Sequence, residues 1–222
     1  EDLPGQKTFV SKFIDRRGEG MHHLSIEVDH LKPLTDAMKH DGVRIVDEQT
    51  FPDGSATAFI SPRSAFGTLI QFWQVPHFDD PKLPPAPDGL ARFDHVSIAV
   101  RDIKKAYDFF MRYFPATVSH EPHLASEGFM LGHLDIAGFK LEFIQSPGPG
   151  AKNDFVGRFI EKYGEGLHHM TINLKNFEST LRELKSGGVR VVDESRNWRG
   201  EGEFYISPKS AFGTLIQIWD AV

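Results

Sequence analysis

FVSKFIDRRGEGMHH, Phe9 to His23, returns 146 residues further along the chain as FVGRFIEKYGEGLHH, Phe155 to His169. The same offset relates FISPRSAFGTLIQFW, Phe59 to Trp73, to YISPKSAFGTLIQIW, Tyr205 to Trp219. The register holds without a gap across the whole stretch, and 30 of its 65 positions are identical. Identity on that scale at one fixed offset marks a duplicated structural unit. Each copy reads the same way. In the second, a short helix from Phe155 leads through Gly164-Glu165-Gly166 into a strand, LHHMTINL. A helix over 177–185 follows, with Phe177, Leu181 and Leu184 on one face, and Gly187-Gly188 closes it. The strands VRVVDE, EFYIS and TLIQIW complete a β-α-β-β-β order.

Between the copies lies a third unit of that shape with different letters. FDHVSIAV is a strand, and 103–114 an amphipathic helix carrying Tyr107, Phe110 and Phe114. ATVSHE, GFMLGHLDIA and FKLEFIQ are strands, the last two joined by a tight turn at Ala137-Gly138. The expected fold class is therefore α+β, built from repeated βαβββ units. Residues 1–75 read as the second half of a module whose first half is absent. Residues 76–91, with their Pro-rich PHFDDPKLPPAPDG, read as a linker. Residues 92–222 read as a complete module with halves 92–146 and 147–222. The chain begins with Glu rather than Met, and its first residues match the connection that follows the middle unit, so a lost N-terminal unit is the expectation. A half-module leaves an apolar sheet face and an edge open, and a homodimer pairing two first units is the expected cover.

The 222 residues suffice for one or two domains with a sizeable core. The net charge of −6 argues against a dedicated nucleic-acid binder. No apolar run reaches the length of about 18 residues that a membrane helix needs, and no charged-then-apolar leader is visible. A cytoplasmic protein is expected. There are no cysteines, which rules out disulfides, thiolate chemistry and Cys-ligated metals. Eleven histidines remain, so any metal would be held by His, carboxylate or amide.

Alternate side chains of a strand face opposite sides. In FDHVSIAV, Val96, Ile98 and Val100 share the apolar face and His95 lies on the other. In LHHMTINL, His169, Thr171 and Asn173 oppose Met170, Ile172 and Leu174. Glu142 opposes Leu141 and Phe143, and Gln217 opposes Ile216 and Ile218. Four ligand-capable side chains thus sit mid-strand opposite apolar ones, two from each half of the complete module. A polar group there is costly unless paired or bound, and the joint pattern points to a metal site of His95, Glu142, His169 and Gln217. His168 falls on the helix-packing face and reads as a packing residue. His133 has no assigned facing, and the turn PKSAFG reads as structural.

The stretches DHVSIAV, LEFI, GEGLHHM and ISPKSAFGTLIQI resemble the vicinal oxygen chelate superfamily, which includes glyoxalases, methylmalonyl-CoA epimerases, extradiol dioxygenases and bleomycin-resistance proteins. The resemblance covers residues 92–222 nearly end to end and is strongest to the epimerase and glyoxalase-like branch. It implies two βαβββ halves forming a cupped sheet around one divalent ion (Zn, Co, Ni, Mn or Fe) held by His95, Glu142, His169 and Gln217. It implies a small-molecule substrate with neighbouring oxygens, and proton abstraction beside a metal-chelated carbonyl. One departure stands out. The relatives carry a proton-accepting Glu where this chain has Gln217, which leaves Glu142 as the expected base. A non-haem iron dioxygenase and a non-catalytic, resistance-type binding protein are the alternatives. In the first copy, His23 and Gln71 match His169 and Gln217, and no complete site is expected there.

Overall fold

The computed structural model describes residues 8–75, 91–126, 128–136, 138–148, 154–197 and 199–221. The expected linker, apart from Ala91, lies outside them, as does Ala137 of the expected turn. The chain alternates short helices with strands, the mixed α+β class read from its letters. In the first copy these are α1 (Phe9–Arg17), β1 (His23–Glu27), α2 (Leu31–His40), β2 (Ile45–Thr50), β3 (Ala56–Ile60) and β4 (Leu69–Gln74). The middle unit holds β5 (Ala91–Val100), α3 (Ile103–Tyr113), β6 (Ala116–Leu124), β7 (Met130–Ile136) and β8 (Phe139–Gln145). The last copy holds α4 (Phe155–Tyr163), β9 (Gly166–Leu174), α5 (Phe177–Ser186), β10 (Val191–Arg196), β11 (Gly202–Ile206) and β12 (Leu215–Asp220). β5 begins at Ala91, the residue at which the linker was expected to end.

All three βαβββ units order their strands alike, first, fourth, third, second: β1-β4-β3-β2, β5-β8-β7-β6 and β9-β12-β11-β10. In both copies the first and fourth strands are parallel and the hairpins antiparallel. The copies even share an irregularity. Asp47 and Asp193 adopt positive φ, 53° and 51°, where the register of β2 on β3 and of β10 on β11 shifts. Aspartate tolerates that conformation better than most residues, and a bulge bends the strand there. Helix starts follow their capping residues. Thr8 accepts from the Ser11 amide, Asp102 from Lys105 and Asp154 from Gly157.

The chain divides into two compact units, and the division runs through β5 and β9. Among the described residues, one unit contains the last copy from His169, together with residues 91–95 and 8–22. Its core is Phe177 of α5 against Phe204 and Ile218. The other contains residues 23–75 and the described residues of 96–168. Its core joins Ile26, Met38, Ile70 and Phe72 of the first copy to Val96, Ile98, Phe110 and Phe143 of the middle unit. Phe72 meets Phe114 and Phe66 meets Phe109, with ring centroids 5.7 and 5.8 Å apart. Asp41 accepts from Arg112 and Tyr113 at the surface. This corrects one expectation. The apolar face of the first copy is not left open but packs against the middle unit, a tertiary contact that strand parity cannot foresee.

The repeated SAFG turns show what their glycines are for. Gly67 has φ +71°, and a Cβ there would overlap the Glu165 carbonyl; Gly213, at φ +76°, lies equally close to the Glu19 carbonyl. Each copy's turn therefore packs on the Gly-Glu-Gly segment of the other copy. No anion site is needed to explain PKSAFG.

Candidate metal centre

β5 carries His95 into the interior with no exposed surface. Its Nδ1 lies 2.8 Å from Asp94 Oδ1, and Asp94 in turn accepts from the Asn173 amide at 3.0 Å. A carboxylate on one ring nitrogen fixes the ring and directs the other nitrogen, Nε2, to its task. The hairpin β7–β8 supplies the next pair. Its register sets His133 opposite Glu142, and His133 Nε2 sits 3.0 Å from Glu142 Oε2, both side chains buried. The candidate ligand atoms of His95, His133 and Glu142 all lie within 4.8 Å of one another. Among the described residues this is the one such group of His, Asp and Glu.

Two imidazoles and a carboxylate suit a divalent transition ion. A buried carboxylate is also expensive without a cation or strong donors. The residues present fit a divalent metal on both counts.

The four residues singled out in the sequence are all mid-strand and buried: His95, Glu142, His169 and Gln217. Glu142 and His95 are both members of the candidate trio. The His169 ring stands edge-on to that of His95, centroids 5.6 Å apart. Gln217 reaches His95 through Thr171. Its Oε1 accepts from the Thr171 hydroxyl at 2.7 Å, and that hydroxyl is 2.9 Å from His95 Nε2. The sequence reading left out His133. Its signal was available: Leu134 and Ile136 set the apolar face of β7, which puts His133 on the opposite side, and the short turn to β8 then fixes its partner as Glu142.

His168 behaves as a packing residue. Its ring lies against Phe159 and Phe155 of α4, centroids 4.8 and 5.6 Å away. Burial pushes its imidazole down to about 4, with the Glu142 charge pulling weakly the other way. Tyr107 of α3 donates to the His120 carbonyl at 2.7 Å. Burial, helped by the charges of Glu121 and Glu142, lifts its phenol well above the usual range, so it stays a donor.

In the first copy, His23 is exposed, and Gln71 is engaged by Ser25 and Thr57. No acidic or imidazole trio forms there among the described residues.

Repeated βαβββ units with a buried imidazole–carboxylate cluster on their strands define the chain as an α+β protein with a candidate metal centre. Residues 92–218 match the family model of the Glyoxalase/Bleomycin resistance protein/Dioxygenase superfamily, and the chain belongs to that superfamily. Human mitochondrial methylmalonyl-CoA epimerase is 27% identical over 136 residues, 60% of this chain and 76% of that protein. The 4-hydroxyphenylpyruvate dioxygenase of Xenopus tropicalis is 21% identical over 215 residues, 85% of this chain and 54% of that protein. A hypothetical protein of Bacillus halodurans superposes with a TM-score of 0.52 at 28% identity, covering 60% of this chain and 95% of that one. Methylmalonyl-CoA epimerase of Mycobacterium tuberculosis shares the fold, with a TM-score of 0.51 at 22% identity over 59% of this chain and 87% of that one. No helix among the described residues is long and apolar enough to cross a membrane.

Proposed function

We propose that the chain is a metal-dependent epimerase-type enzyme that removes a proton from carbon beside a carbonyl. The observation that carries this reading is the buried trio of His95, His133 and Glu142. The epimerase relatives support the substrate class, an acyl-CoA thioester with a second oxygen close to the first. His95, His133 and Glu142 would hold the metal, with His169 and the amide oxygen of Gln217 completing the set. When bound, a divalent ion there supplies Lewis acidity to a carbonyl oxygen. Glu142 is the base, since Gln217 cannot accept a proton at useful pH. His133 Nε2 lies 3.0 Å from the Glu142 carboxylate and keeps that side chain in place. Asp94 keeps His95 in one tautomer and one orientation.

The test begins with elemental analysis of protein purified without added metal. Solvent deuterium incorporation into methylmalonyl-CoA is then followed by proton NMR, with 2-oxo thiohemiacetals as a second substrate set. A bound divalent ion and exchange lost in Glu142→Gln are expected. Metal-loaded protein that exchanges no proton in either set refutes the reading.

One observation favours a second reading. Two imidazoles and one carboxylate are also the donor set of non-haem iron oxygenases, and the dioxygenase relative aligns with most of the chain. Bound iron together with oxygen consumption would select it. For the oligomer, β1 ends its sheet among the described residues, and a second copy pairing along that edge is our reading. A monomeric mass by light scattering overturns it.

A further inference from the structure

Gln217 stands where the resemblance places a carboxylate, and its surroundings explain the amide. Its Nε2 donates to Glu203 Oε2 at 3.2 Å and to the Tyr205 hydroxyl at 2.7 Å. A carboxylate has no proton to give, so the amide nitrogen must face β11, and the oxygen is left facing Thr171 and His95. Glu203 is itself held on three sides. Besides Gln217 it accepts from Trp219 Nε1 at 3.2 Å and from Ser195 at 2.9 Å. Those donors keep its carboxylate in place.

The first copy offers an internal contrast. Thr57 and Phe59 occupy the positions of Glu203 and Tyr205, and among the described residues Gln71 Nε2 donates to the Thr57 hydroxyl alone, at 3.2 Å. A carboxylate and a phenol behind the glutamine therefore occur only in the copy that faces His95. A glutamate at 217 would set two carboxylates side by side and remove the donor that the amide gives Glu203.

We infer that Glu203 is a positioning residue: it fixes the Gln217 amide with its oxygen towards His95, and it makes an amide rather than a carboxylate the side chain that position 217 can carry. This rests on the metal reading for what the oxygen is aimed at, but the pairing of Glu203 with Gln217 stands without it.

The experiment uses the whole chain as wild type, Glu203→Gln, Gln217→Glu and the double variant. Metal-free thermal melts test the pairing. Gln217→Glu should lose several degrees, and the double variant should recover at least half of the loss, because one carboxylate and one amide again face each other. No recovery overturns the pairing. Titration with Co²⁺ alone, read by chelator competition and visible absorption, tests the positioning. Glu203→Gln frees the 217 amide to turn, so Co²⁺ affinity should fall by about tenfold and the visible bands should shift. The double variant, whose carboxylate at 217 needs no orienting, should bind more tightly than Glu203→Gln. Unchanged affinity and bands in Glu203→Gln overturn the positioning role. If wild type binds Co²⁺ no better than His95→Ala, the metal reading fails, while the melts still decide the pairing.

Discussion

Replacing His168 with leucine should flatten the dependence of stability on pH between about 4 and 6.5. The imidazole sits among Phe155 and Phe159, and its pKa is lowered from 6.5 to about 4 in the folded chain. The folded state thus binds fewer protons than the unfolded one over that interval. The sign follows from linkage: full stability is present above 6.5 and is lost as the pH falls towards 4. The whole interval corresponds to about 3 kcal/mol, and stopping at pH 5 uses about 2 kcal/mol of it. For a chain of this size that is a drop in melting temperature of roughly 4–8 °C. The assay is a pair of melts, pH 7.5 and pH 5.0, on metal-free wild type and His168→Leu. Other groups titrate alike in both proteins, so the difference of differences isolates His168. The variant should lose about 2 kcal/mol less than wild type on going to pH 5. An equal loss in the two proteins would refute the account of His168 as a half-buried, neutral packing residue.

The other expectations are briefer. Asp94→Asn replaces the carboxylate on His95 Nδ1, and Co²⁺ affinity should fall by roughly 10–100-fold in a chelator competition, with little change in fold by circular dichroism. Glu142→Gln should lose both the metal, by elemental analysis, and proton exchange on the thioester, whereas a variant that keeps the metal and the exchange would remove Glu142 from the site. Gly67→Ala and Gly213→Ala each press a Cβ on a carbonyl of the other copy at a positive φ, so each should cost about 1–3 kcal/mol in urea unfolding.

The repeat made most of the fold legible. One offset gave the element order of both copies, and strand alternation gave the buried side of β5, β8, β9 and β12, hence His95, Glu142, His169 and Gln217. What stayed hidden were relations between strands. His133 becomes a partner of Glu142 only once the β7–β8 register is counted through the turn. Glu203 and Tyr205 gain their meaning from lying across from Trp219 and Gln217 on β12. The covering of the first copy by Phe110 and Phe114 of the middle unit depends on packing between units, which no period in the sequence records.

The two copies also separate what builds the fold from what builds the chemistry. His23 and His169, like Gln71 and Gln217, occupy the same strands in the same register, β1 on β4 and β9 on β12. Yet His23 is exposed, whereas His169 is buried beside His95. Within the repeat itself, Glu203 and Tyr205 behind Gln217 stand where the first copy has Thr57 and Phe59. The shared glycines and apolar positions account for two copies folding alike. The unshared Glu203 and Tyr205 account for the different surroundings of Gln71 and Gln217, and these are the positions at which substitution should change how the Gln217 amide is held.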